Sequence, residues 1–511
     1  MAIRVLIFHG YLLRGTGSNV YNASLAAAMR RLGHEVHLLC QERRAAEHPF
    51  VDAVGEWESG ELRVRGTGAP PAAGSVTTYR PDIGGLLPVY VRDRYAGFEV
   101  KEFPELTDAE LDAYLELNVA AVRDVVAHAG APEAALANHL VMAPVILARA
   151  GLRFAIKVHG SDLSYTVLPY PERFRPYAAE GARAAAGILV GSQHIAERLR
   201  LAVDEPDVNA KVRPGPPGVD TDAFGPLASG ERGPALRSLA AELCAIEPAP
   251  DRDAIPASSW DRDPEEAARA VEWFAAAEGP RIVFVGKLIV SKGVDLLLAA
   301  WPLVGAENPG ARLLVAGFGA YRPALEDLWA ALTAGDVEAA GEIARRGRGL
   351  EGGADTPLRH LGAFLDDPPA GYAEHAAAAA GSVAFSGRLE HEEVARLVPA
   401  ADALVFPSTF PEAFGMVAAE AASAGVLPVS AAHSGALEVS RALAAELPAD
   451  AAPLVSFEVG DQAASDIAAR LNGWLALDPE TRSAARDALR ATAIRLWSWE
   501  GVARGVIEAS T

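Results

Sequence analysis

Two carboxylates, two lysines and one histidine stand where side chains could do chemistry together. Glu412 and Glu420, with seven residues between them, lie in the stretch Phe406 to Gly425. There an apolar strand, Ala403 to Phe406, runs into a Pro/Ser turn, then Glu412, then an aromatic-glycine step at Phe414-Gly415. An alanine-rich helix carrying Glu420 follows, with Gly425 as its C′ glycine and a strand over Val426 to Ser430 after it. A strand–turn–helix of this kind presents free backbone N–H groups and the positive end of a helix dipole, which suits an anion. Two glutamates would oppose a bare anion, so they need another job, such as accepting hydrogen bonds from hydroxyls.

Lys287 and Lys292 flank a turn after the buried run Arg281 to Val285, and Gly293 opens a helix behind them. Paired cations at the carboxyl end of a strand suit a phosphate or pyrophosphate, because ligands collect there in open α/β sheets; the plainer reading is two solvated loop lysines. His159, in Lys157-Val158-His159-Gly160-Ser161-Asp162, ends another buried strand. It reads either as a turn-capping residue or as a neutral hydrogen-bonding group for a polar substrate. Gly15-Thr16-Gly17-Ser18-Asn19-Val20 follows the first strand but lacks the third glycine of a dinucleotide fingerprint, so it reads as a loop that lets a ligand approach backbone amides. Gly317-Phe318-Gly319 reads as a strand-to-helix turn. Walker, zinc-ligand and Gly-x-Ser-x-Gly spacings are all absent from the sequence.

These residues need a scaffold, and the apolar runs supply one. Residues 3–8, a helix over Val20 to Leu32 and a strand over Glu35 to Cys40 make a βαβ opening. Residues 41–105, irregular and rich in Pro, Gly and aromatics, read as a long loop region or hairpin with room for short strands. A helix over Asp108 to His128, strands near Ala135 to Ala137, Phe154 to Val158 and Gly187 to Val190, and a Ser192-capped helix complete a first half. Pro214-Gly215-Pro216-Pro217-Gly218 marks the crossing to a second βα series. Residues 228–279, acidic, and 331–380, rich in Ala, Gly and Arg, read as insertions. The expected domains are 1–217, 218–490 and a final helical segment 491–511. The expected fold class is α/β, two doubly wound halves facing a central cleft.

The 511 residues carry a formal net charge of −21, which argues against nucleic acid or anionic membrane as a main partner, since both need a basic footprint, but not against a small anionic ligand. No run of about 18 apolar residues exists, so no transmembrane helix is expected. The first residues do not read as a signal peptide. With two cysteines, Cys40 and Cys244, the chain is expected to be cytoplasmic with two buried, reduced thiols.

Taken together, the Gly15–Asn19 loop with Leu32-Gly33-His34-Glu35-Val36, His159-Gly160, Pro216 to Phe224, Gly286-Lys287-Leu288 with Ser291-Lys292-Gly293, and Pro407-Ser408 through Glu412 to Glu420 resemble the family-four retaining glycosyltransferases of the GT-B fold. The closing Trp497-Ser498-Trp499-Glu500 resembles that family's last segment, which returns to the N-terminal domain. The resemblance implies two Rossmann-like domains, an N-terminal one for the acceptor and a C-terminal one for a nucleotide sugar. Lys287 and Lys292 would hold the donor diphosphate, with Lys287 standing where the family has Arg. Glu412 would bind donor-sugar hydroxyls, with the amides of Phe414, Gly415, Met416 and Val417 around sugar and phosphate, and Glu420 would accept from the ribose. His159 would contact the donor sugar, Gly17 would approach the phosphate, and Arg388 would edge the base. Catalysis would rest on Glu412, His159 and Lys292.

The implied reaction is retaining transfer of a hexose from a UDP- or GDP-sugar to an acceptor hydroxyl by same-face attack, in carbohydrate biosynthesis. No metal or other cofactor is implied, and the acceptor would be a sugar, a lipid-linked or a small molecule. A monomer or homodimer is expected. The rivals are another GT-B sugar-nucleotide enzyme (an epimerase or phosphorylase), a non-catalytic sugar-nucleotide-binding protein, and an NAD-dependent oxidoreductase.

Overall fold

The structure, a computed structural model, describes residues 2–14, 17–68, 73–90, 97–246 and 262–511. The chain divides into two units, Met1–Gly218 with Trp497–Thr511, and Val219–Leu496. The division follows the Pro/Gly cluster, and the last helical segment is shared. Helix Pro479–Trp497 keeps residues 491–496 in the second unit, and only Trp497–Thr511 belongs to the first.

Short apolar runs bounded by glycine and polar turns fold as parallel strands in both units. In the first unit these are β1 (Arg4–Phe8), β2 (Glu35–Leu39), β3 (Ala53–Glu58), β4 (Glu61–Gly66), β5 (Ser75–Arg80), β6 (Leu86–Val89), β7 (Glu99–Glu102), β8 (Ala134–Asn138), β9 (Ala155–Val158), β10 (Gly187–Val190) and β11 (Val212–Pro214). Nine of them form one sheet in the order β11-β10-β9-β8-β1-β2-β5-β3-β4, and β6 pairs with β7 apart from it. Only β3–β4 is antiparallel in that sheet. The region 41–105 is therefore more than a loop or hairpin. β5 pairs in parallel with both β2 and β3, so Val76 and Tyr79 are buried in the sheet's layer, which apolar spacing alone did not reveal.

The second unit has β12 (Arg281–Val285), β13 (Arg312–Ala316), β14 (Val383–Gly387), β15 (Ala403–Phe406), β16 (Leu427–Ala431) and β17 (Ser456–Phe457). They form an all-parallel sheet in the order β14-β13-β12-β15-β16-β17. Strand order reverses between β1 and β8 in one sheet and between β12 and β15 in the other. Each unit thus has a topological switch point, where ligands gather beyond the strands' carboxyl ends.

Neither expected insertion hangs off the fold. Helices Ser229–Cys244 and Pro264–Ala275 bury Leu236, Leu239, Leu243, Val271 and Phe274 at helical spacing. Arg232, 6% exposed, reaches Asp402 at 2.7 Å just before β15. The acidic residues Asp251, Asp253 and Asp261 lie outside the described residues. In 331–380, helices Val337–Arg346, Arg359–Asp366 and Tyr372–Ala378 bury Ala340, Leu361, Phe364 and Tyr372, and the Tyr372 hydroxyl donates to Ala299 O. Composition hid these apolar stripes among alanines. Cys40 is buried, but Cys244 is exposed, because the helix turns Leu243 inward and its last residue out.

Candidate functional site

At the switch point of the second unit, the loop after β12 meets the loop after β15. Both are shaped by close backbone approach. Gly293 adopts φ +64°, and a Cβ there would lie 2.0 Å from Pro407 O. Thr409 N donates to Ser291 O at 2.9 Å, and the Ser408 hydroxyl lies 3.0 Å from the same carbonyl. The turn Gly317-Phe318-Gly319 backs the lysine loop, with Leu288 N donating to Phe318 O and Tyr321 N to Leu288 O. From the 331–380 region, Glu351 accepts from Val290 N at 2.8 Å.

This bracing brings Lys292 and Glu412 together. Lys292 Nζ is 2.5 Å from Glu412 Oε1, with the two side chains 23% and 20% exposed, and it also lies over the Phe406 ring at 5.5 Å. The Ser408 hydroxyl donates to the same carboxylate oxygen at 2.6 Å. Glu412 N donates to Ser434 Oγ at 2.8 Å, and Gly435 N donates to Glu412 O. His433 Nε2 lies 2.7 Å from Ser408 O, so it carries a proton, and His433 Nδ1 lies 3.0 Å from the Ser434 hydroxyl. Ser434 holds a left-handed φ of 49°, rare for a residue with a Cβ. Sequence reasoning passed over His433 and Ser434; a Ser-Gly pair two residues after a buried strand was the available signal.

Gly415, at φ +133°, caps helix Met416–Ser423, whose opening leaves the amides of Met416 and Val417 without intrahelical acceptors; Phe414 is buried just ahead of it. Glu420 is buried in that helix. Burial raises its carboxyl above the usual range, opposed by His391, 3.8 Å away. Arg388 pairs with Glu390 at 2.9 Å and lies over the Phe318 ring. Lys287 follows β12 in the braced loop.

In the first unit, the carboxyl ends of β1, β8 and β9 carry His9, Asn138-His139 and His159. His159 Nε2 meets Asn138 Oδ1 at 3.0 Å, and its ring packs against Tyr21 and His139. Burial, with help from His139, Lys157 and His9, holds its pKa well below the ordinary histidine value. Burial pushes His139 and His9 down to about 3. Asp162, fully buried, accepts from the backbone N–H of Leu140, Gly160 and Leu163; Lys157, buried and pushed down to about 7, donates to Gly215 O. His139 and Met142 both take φ of 68°, a concentration of strain typical of functional sites. Asn138 and His139 were missed in sequence because the strand was read as ending at Ala137. Gly17 is not in a loop; it opens helix Gly17–Arg31, three residues before the expected start, while Gly15 and Thr16 lie outside the described residues. Among the described residues no group of three or more His, Cys, Asp or Glu is arranged to hold a metal, and no helix is long and apolar enough to cross a membrane.

Two doubly wound units with loops of this kind at the switch points define the GT-B class. The sucrose-phosphate synthase of Thermosynechococcus elongatus superposes with a TM-score of 0.52 over 98% of this chain and 97% of that one, at 17% identity. Anabaena HepE, crystallised with UDP and glucose, superposes with 0.53 over 99% and 98%, at 13% identity. In sequence, residues 16–216 match the Glycosyl transferase 4-like domain, and residues 279–350 and 373–486 match Glycosyl transferases group 1. The chain belongs to the GT4-type glycosyltransferases. A glycogen synthase of Mycobacterium tuberculosis is 30% identical over 161 residues, 30% of this chain and 28% of that enzyme's length, so the likeness spans under a third of the relative.

Proposed function

We propose that the protein transfers a hexose from a nucleotide-diphosphate sugar to an acceptor hydroxyl with retention, needing no metal. The observation that carries this reading is the Lys292–Glu412 pair, braced by three loops at the β12/β15 switch point. Departure of a nucleoside diphosphate leaves negative charge on phosphate while positive charge develops on the sugar. Lys287, Lys292 and the amides of Gly415, Met416 and Val417 offset the first, and this preorganised field costs no rearrangement during the reaction. Glu412 accepts from sugar hydroxyls and favours the oxocarbenium-like state. Glu420 takes the ribose hydroxyls, and Arg388 the base. His159 and Gly17, on the first unit, take the sugar and phosphate roles that the family resemblance implies. Same-face attack by the acceptor hydroxyl, its proton leaving to the departing phosphate, keeps the anomeric configuration. A UDP-sugar is favoured over a GDP-sugar by the UDP bound to Anabaena HepE.

Thermal shifts with UDP, GDP, ADP and NAD, followed by release of nucleoside diphosphate from UDP-glucose and GDP-mannose, test the reading. Stabilisation by a nucleoside diphosphate and turnover lost in Lys292→Ala support it, since a ligand of the native state raises stability by mass action. Stabilisation by NAD alone overturns it.

A further inference from the structure

Four buried side chains and the half-buried His159 in the first unit form a hydrogen-bonded chain whose direction can be read without seeing a proton. Asn19 Nδ2 faces Arg14 O at 2.7 Å, and a carbonyl can only accept, so Asn19 presents Oδ1 to His9 Nε2, 3.0 Å away. His9 Nε2 also faces Leu12 O at 2.9 Å, so it carries the proton. Burial keeps His9 neutral at pH 7, which leaves Nδ1 a lone pair that receives Asn22 Nδ2 at 3.0 Å. Asn22 Nδ2 lies 2.8 Å from Ser18 O, an independent check on its orientation. Asn22 Oδ1 must then accept from Asn138 Nδ2, and Asn138 turns its own Oδ1 toward His159 Nε2. Each link admits one polarity, fixed by the main-chain carbonyls of Arg14, Leu12 and Ser18.

We propose that Asn138 and Asn22, anchored by His9 and Asn19, are positioning residues that lock His159 as the Nε2–H tautomer, leaving Nδ1 as its sole hydrogen-bonding atom toward a sugar. His159 then meets substrate as an acceptor from a hydroxyl, not as a donor to an oxygen. Nδ1 has no hydrogen-bond partner among the described residues, and His159 is half-buried where the other four are fully enclosed. The chain runs from β9 across β8 and β1 to the first turns of helix Gly17–Arg31, so the sheet's switch point itself fixes the tautomer. The sugar role rests on the proposed function; the tautomer does not.

Nitrogen-15 spectra of histidine-labelled protein, with His159 assigned by loss of its signals in His159→Gln, decide the matter without substrate. Nδ1 should be unprotonated and Nε2 protonated from about pH 5.5 to pH 8, well past the ordinary histidine pKa. Asn138→Leu should give mixed tautomers and lower kcat about tenfold, the size of one hydrogen bond, with a smaller change in donor KM. Asn138→Asp keeps an acceptor for Nε2–H but sets a carboxylate beside the ring, so the acid limb of the pH–rate profile should move up. A purely structural role for Asn138 moves neither tautomer nor profile. Wild-type His159 found as Nδ1–H, or averaging between forms, overturns the inference. If no nucleotide sugar binds or turns over, the functional reading falls, while the spectrum still decides this one.

Discussion

Lys292 and Glu412, 120 positions apart in the chain, meet at 2.5 Å, and the Ser408 hydroxyl shares the same carboxylate oxygen. Each residue therefore holds the other in place before any donor arrives. Removing either leaves a partly covered charge without its partner. Lys292→Ala and Glu412→Ala are each expected to weaken nucleotide-sugar binding or turnover by roughly ten- to a hundredfold, the cost of losing a charged hydrogen-bond partner. Calorimetry with UDP and initial rates check this; unchanged values for Lys292→Ala would remove the diphosphate assignment.

Gly293→Ala tests the brace beneath that pair. Its left-handed backbone and the 2.0 Å approach to Pro407 O leave no room for a methyl group. A loss of at least about 2 kcal/mol is expected in urea unfolding, together with weaker nucleotide binding.

Ser434 separates strain from chemistry. Its hydroxyl joins Glu412 N to His433 while its backbone sits at φ 49°. Ser434→Gly relieves the backbone and loses the hydroxyl, so stability should hold within about 1 kcal/mol while turnover falls. Ser434→Ala should lose both. Melting curves and rates measured side by side distinguish the two effects.

Asp295, in the first turn of helix Val294–Glu307, is buried, and its Oδ1 has no hydrogen-bond partner among the described residues. Burial pushes it up to about 7. The folded state therefore takes up a proton that the unfolded chain releases near pH 4, so this contribution is present at low pH and lost as pH rises through about 7. Asp295→Asn should flatten the dependence and raise stability at about pH 8, by something on the order of a few kcal/mol. Equal pH slopes for the two proteins would show that Asp295 does not titrate in this range.

Asp402 does a different job at the amino-terminal end of β15. It accepts from Arg232 at 2.7 Å and from Arg281 N at 2.9 Å, and its carbonyl accepts from Trp474 Nε1. Arg232→Ala breaks a buried pair and is expected to cost roughly 3 to 5 kcal/mol in unfolding free energy, with nucleotide affinity unchanged in the folded fraction.

The sequence made the strands and the switch-point loops legible because buried parallel strands are short apolar runs and their loops need glycine. Glu412 and Lys292 stood out as charges in such loops. His433, Ser434 and Asn138 did not, since their importance lies in what they touch across distant segments. The asparagines at 22 and 138 are 116 positions apart, and no local pattern pairs them. Residues 228–246 and 331–380 misled because alanine-rich helices bury few large side chains, so their inward stripes are faint against composition.

Trp499, Ala503, Val506 and Ala509 lie in the core of the first unit, where Trp499 packs against Tyr21 and stands where a Cβ on Gly218 would have to go. That core also holds Val5, so residues far apart along the chain close one hydrophobic cluster. The second unit is wholly translated while the first still lacks Trp497–Thr511. Until that segment is in place, Tyr21 lacks the Trp499 ring that packs against it and the cluster lacks Ala503, Val506 and Ala509, so the first unit closes only after the chain has passed through the second.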